Sequence, residues 1–147
     1  MQKTKAFTLV ELIIVIAIIA IISAVSWSVL GGAKKTAAVN DACNQVAAMI
    51  NKTRNYALSG KNGANFFEIT TKPSGLAIII KADANTLETF VLAGGVICDT
   101  DTVLYAAPNG EAQFNGHNFT TESINCSSSD FSASRTVSVS PYTAVCQ

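Results

Sequence analysis

The pattern of hydrophobic and polar positions changes character twice along the 147-residue chain. From Phe7 to Leu30 nearly every position is apolar, and Leu12 to Ala33 is a run of 22 residues without a charge. As a helix that run spans about 33 Å, which matches a hydrocarbon core of about 30 Å. From Ala33 to Ser59 the pattern becomes a stripe. Val39, Cys43, Val46, Ile50, Thr53 and Ala57 recur at alternating spacings of four and three, which keeps them on one helical face. Lys35, Asn44, Asn51 and Arg54 fall largely elsewhere. No proline interrupts residues 1–72, so the two stretches predict one long helix. Gly31-Gly32 is its weak joint and Gly60 its stop.

After Gly60 the texture is of short β-prone runs separated by turn residues. "NFFEITT" (65–71), "LAIIIK" (76–81), "TLETFVL" (86–92), "VICD" (96–99), "TVLYAA" (102–107), "EAQFN" (111–115) and "RTVSVS" (135–140) read as strands of an antiparallel sheet. "CSSSDFSAS" (126–134) reads as a loop. The sheet needs a cover for its apolar face, and the stripe on residues 33–59 supplies one. The expected class is therefore α+β. Its parts are a basic leader (1–6), an apolar helical half (7–32), an amphipathic half (33–60) and a β domain (61–147).

Composition narrows the function classes. The chain is 49% hydrophobic and 14% charged, where soluble domains average about a quarter charged. After Gly60 four basic residues face eight acidic ones, a net of −4, so that half offers no basic patch for nucleic acid. Four cysteines, Cys43, Cys98, Cys126 and Cys146, permit two disulfides with three possible connectivities. No C-x-x-C or His/Cys spacing suggests zinc, and the single histidine, His117, sits in a turn-like "NGHNF". No nucleophile elbow or phosphate loop is present, so neither an enzyme nor a cofactor is expected. Asp99 and Asp101 in "CDTDT" are more simply a solvated turn than a calcium site. Asn51, Asn118 and Asn125 begin N-x-[ST] sequons, which mean little alone.

One acid interrupts the apolar start. Glu11 lies near the beginning of the run, where a charge in hydrocarbon is costly, about 2.5–3.5 kcal/mol at a helix centre and less near the end. It can reach back to headgroups, take a proton, or find a cation. If the leader were cut after Ala6, the new α-amine of Phe7 would be such a cation, four residues away in the same chain. Between neighbouring chains shifted along the helix axis, the same pairing would fix subunit register. Conventional signal cleavage at "AVS" (24–26) is the rival, although the apolar run is longer than an ordinary signal peptide.

"FTLVELIIVIAIIAII" after a short basic leader resembles the class III signal of type IV prepilins and type II secretion pseudopilins. The matching elements are Phe7, Thr8-Leu9-Val10, Glu11, Leu12 and the Ile/Val/Ala helix. Ala6 stands where the family usually has glycine. Ser28 and Gly31-Gly32 stand nearest to where many members carry a helix-breaking proline. The resemblance implies a pilin fold, cleavage between Ala6 and Phe7 by a prepilin peptidase, N-methylation of Phe7, and assembly into a helical filament. In that family the glutamate neutralises a neighbouring subunit's amine, the role this implies for Glu11. The implied partners are copies of the chain, other pilins, the membrane, the peptidase and the assembly platform. The implied location is a single pass of the cytoplasmic membrane, then a surface pilus or a periplasmic pseudopilus. The family's usual C-terminal disulfide loop implies Cys126–Cys146, leaving Cys43–Cys98. Two alternatives remain at this stage: a minor tip or priming subunit of a secretion or DNA-uptake machine, and a singly anchored surface binding domain.

Overall fold

The computed structural model describes residues 8–71, 75–92, 94–99 and 101–147, with all their side chains except those of residues 25–30. Two compact units result, Met1–Lys34 and Lys35–Gln147. A single 50-residue helix, α1 (Leu9–Leu58), contributes to both. The expected weak joint at Gly31-Gly32 lies inside its helical span. Gly60 follows in the left-handed region at φ 58°, and its N–H donates to the Ala57 carbonyl at 3.1 Å. Glycine suits that conformation, and the helix stops there.

In the second unit the stripe is the core face of the helix. All six of its expected members, from Val39 to Ala57, are buried. Thr53 is tolerated there because its hydroxyl donates to the Met49 carbonyl at 2.8 Å.

The helix is covered by two antiparallel sheets where one was expected. The first joins β1 (Phe66–Thr71), β2 (Ala77–Ala82), β3 (Asn85–Val91), β5 (Thr102–Ala106), β6 (Glu111–Phe114) and β7 (His117–Asn118) in the order β3-β2-β1-β5-β6-β7. The second joins β4 (Val96–Cys98), β8 (Glu122–Ser128), β9 (Ser134–Val139) and β10 (Ala144–Cys146) in the order β10-β9-β8-β4. Both meet the helix. Val46 and Ile50 of α1, Ile69 and Val103 of the first sheet and Ile124 of the second line one small crevice. The sheets touch each other where the Cys98 N–H donates to the Gly75 carbonyl at 3.0 Å. Gly75 has φ +65°, and an added Cβ would lie 2.3 Å from Ile97 Cγ2 and 2.6 Å from the Cys98 carbonyl oxygen. Only glycine fits that approach.

Two expectations are corrected. Residues 126–134 are not all loop, because Cys126 and Ser128 close strand β8 and only 129–133 form the turn to β9. Inward Ile124, Cys126 and Ser128 alternate with outward residues, but small polar side chains carry little strand signal.

The disulfides are Cys43–Cys146 and Cys98–Cys126, not Cys126–Cys146 and Cys43–Cys98. Strand β9 lies between β8 and β10. Two strand spacings, about 10 Å, therefore separate Cys126 from Cys146, beyond the roughly 7 Å a disulfide can span. Cys126 instead stands directly opposite Cys98 on β4, with Cα atoms 4.0 Å apart. Cys146 then binds Cys43 of the helix stripe. Beside it, the Asn51 amide pairs with the Ala144 backbone like another strand, donating to its carbonyl at 2.9 Å and accepting from its N–H at 3.0 Å.

The Tyr105 phenol is fully buried without a hydrogen-bond partner among the described residues, as is Arg54 Nε. Burial pushes Tyr105 up to about 12. The phenol thus stays neutral when folded, whereas an unfolded tyrosine ionises near 10.

Non-reducing peptide mapping should recover Cys43–Cys146 and Cys98–Cys126. Replacing both Cys43 and Cys146 by alanine should cost about 4–5 kcal/mol in chemical denaturation, because the closed loop spans 103 residues. Tyr105→Phe should be neutral or stabilising at pH 7, since it removes an unsatisfied polar atom. Above pH 10 the wild type should lose stability relative to that variant as unfolding releases the phenol proton, and a pH series of unfolding curves tests this.

Candidate functional site

Among the described residues the first turn of α1 carries the chemistry. Thr8 Oγ1 accepts from the Glu11 backbone N–H at 3.2 Å. Glu11 Oε2 in return accepts from the Thr8 backbone N–H at 3.1 Å and from the Thr8 hydroxyl at 3.0 Å. This reciprocal pair is a capping box, which satisfies two backbone donors that a helix start leaves unpaired. The positive end of the helix dipole favours a carboxylate there as well. The sequence signal was the spacing Thr-x-x-Glu. In the sequence-based expectation Thr8 entered only as part of the motif, and its capping role was missed.

Glu11 pairs with no cation among the described residues. Ala6 and Phe7, the expected cleavage and methylation positions, lie outside the described residues.

The rest of the first unit is a surface looking for a cover. Every residue from Thr8 to Ala24 is exposed, with Leu9 at 74% and Ile21 at 67%. Ser23 sits in this apolar stretch with its hydroxyl already donating to the Ile19 carbonyl at 2.7 Å. A continuous exposed apolar face of this extent marks a contact with lipid or with other protein. Among the described residues no helix is long and apolar enough to cross a membrane. The described apolar side chains run from Leu9 to Ala24, about 24 Å of helix, and the uncharged sequence continues through residues 25–30 beyond them.

The remaining candidates have structural duties. Asp99 Oδ2 accepts from the backbone and side-chain nitrogens of Asn125 at 3.1 and 3.0 Å, and Asp101 Oδ1 accepts from Asn115 Nδ2 at 3.0 Å. Among the described residues no cluster of three metal-ligating side chains occurs. Of the three sequon asparagines, Asn51 spends its amide on Ala144 and Asn125 its amide on Asp99 and Thr136. Asn118 and His117 are exposed on β7.

No curated protein and no solved structure matches the chain. A family model does match, and its span includes the capped first turn and most of the apolar stretch. Residues 1–27 fit the prokaryotic N-terminal methylation motif. The chain thus carries the class III signal of type IV pilin and pseudopilin precursors, followed by an α+β region in which a long helix packs on antiparallel sheets.

Proposed function

We propose that this chain is a structural subunit of a type IV pilus or a related pseudopilus. It is cut between Ala6 and Phe7 by a prepilin peptidase, methylated at Phe7 and polymerised through its apolar helix. The observation that carries this reading is the methylation motif at residues 1–27, which includes the exposed apolar residues between Leu9 and Ala24. Before assembly that face is satisfied by a bilayer. Afterwards the same face of neighbouring subunits takes over, so one surface serves both solvents. Head-to-tail contacts that do not close give a helical filament.

Glu11 then has two duties. Within its own chain it completes the capping box with Thr8. Between chains its charge meets the Phe7 amine of a neighbour and sets the axial register, as buried polar groups do in helix assemblies. Leaving such a charge unpaired in apolar surroundings is costly, so misregistered neighbours are disfavoured.

N-terminal sequencing of the exported protein should begin at Phe7, with the mass increased by one methyl group. A start at Met1 or at Trp27 would sink the reading. The two duties of Glu11 separate by substitution. Glu11→Gln keeps a capping box, because glutamine serves at that position, but removes the charge. Glu11→Ala removes both. Processing should persist in both variants while sheared filaments fall sharply in both. Normal filaments from Glu11→Gln would show that the cap matters and the charge does not.

A further inference from the structure

The turn between β8 and β9 holds one large apolar side chain out into solvent. Phe131 is 80% exposed and has φ 56°, a left-handed conformation that a bulky residue rarely adopts. The conformation is held by a dense local network. The Phe131 N–H donates to the Ser128 carbonyl at 2.8 Å, and the Ser128 N–H to the Ala133 carbonyl at 2.9 Å. Asp130 Oδ1 accepts from the hydroxyls of Ser128 and Ser132, each at 2.7 Å. Asp130 Oδ2 is bound by Lys35. Lys35, seconded by these serines, holds the Asp130 carboxyl well below the usual carboxylate range. The turn is therefore a rigid support for an aromatic ring that touches nothing in its own core.

Its location is set by the Lys35 contact. Lys35 is the first residue of the second unit, so the turn sits at the end where the chain enters that unit. The uncharged run of sequence ends at Ala33, and two residues reach at most about 7 Å. By chain connectivity alone, the residue that binds this turn is joined by two residues of chain to the end of the apolar run.

Charge and shape agree with that position. Beside the turn lies an open groove of about 260 Å³, lined by the polar residues Thr36, Asn40, Ser132, Ser134 and Arg135 among others. Arg135 is exposed, and among the described residues its guanidinium makes one long hydrogen bond, 3.4 Å to the Ser134 carbonyl. Lys35 is paired with Asp130 and Asp41 follows the groove-lining Asn40, so Arg135 is the cation the groove itself presents, whereas the chain after Gly60 carries a net charge of −4.

We propose that this turn and groove form a contact for anionic phospholipid headgroups, used while the subunit waits in the membrane. Phe131 enters the headgroup layer as aromatic side chains do at bilayer interfaces, and Arg135 meets lipid phosphate. The proposal rests on the membrane-anchored stage of the proposed function.

The full chain, reconstituted in vesicles with brominated phospholipids, tests both readings separately. The native Trp27 reports the anchor. A Phe131→Trp reporter in a Trp27→Phe background reports the turn. A Tyr142→Trp reporter is the control, since Tyr142 is 75% exposed in the turn at the opposite end of β9. That end is fixed near Asn51, about 24 Å further along the helix than Lys35. In phosphatidylglycerol vesicles Trp27 and the Phe131→Trp reporter should both be quenched, the latter with a blue shift, and the control should not. Arg135→Gln should reduce quenching of the Phe131→Trp reporter in phosphatidylglycerol vesicles. A quenched Trp27 with an unquenched Phe131→Trp reporter overturns the headgroup contact and leaves the anchor standing. A reporter buried only after filaments form overturns it in favour of a neighbouring subunit. An unquenched Trp27 removes the anchor and the headgroup contact together.

Discussion

The stripe from Val39 to Ala57 is the surface on which the whole second unit condenses. Both sheets reach it, and neither has another apolar face of comparable length to bury. Its spacing keeps small residues (Ala42, Cys43, Ala47, Ala57) among larger ones (Val39, Val46, Ile50), so that the sheets approach the helix closely. The chain then closes on the same stripe. Cys146, one residue from the C-terminus, is bonded to Cys43, and Asn51 extends the β10 edge by two hydrogen bonds. The stripe, the sheets and Cys146 are thereby tied together within the second unit.

The first unit follows the opposite rule. Among the described residues 8–24 its helix is apolar on nearly all sides, buries nothing of its own, and satisfies its hydroxyls and its one acid locally. Thr8 and Glu11 satisfy each other, and Ser23 bonds to Ile19. An exposed apolar surface of this extent marks a contact with lipid or with other protein. The two halves of one helix therefore serve two environments: one is finished within the chain, and the other requires partners.

Much of this was legible from the order of residues. The helix, its stop at Gly60 and each of the six stripe residues follow from local periodicity and turn chemistry, which need no knowledge of distant contacts. The strands rich in Val, Ile and aromatics were legible for the same reason. Strand β8 was not, because "ESINCSS" holds only one strongly β-prone residue, and its inward positions are filled by Ile124, Cys126 and Ser128. Short β10 was missed too, since a three-residue edge strand has too few positions to show alternation. At the candidate site the sequence pointed to Glu11 through its charge, while its capping partnership with Thr8 went unread although the spacing was there.

The sequence by itself determined the motif at residues 1–27, the two kinds of helix face and the presence of a β-rich region beyond Gly60. These depend on neighbours within a few residues. Only the tertiary structure decided how many sheets there are, which cysteines meet, and where Phe131 stands. Pairing in a sheet joins residues tens of positions apart, so the strand order had to place β9 between Cys126 and Cys146 before their separation could exclude a bond. The contact of Lys35 with Asp130, 95 residues away, likewise fixed which end of the second unit carries the exposed ring.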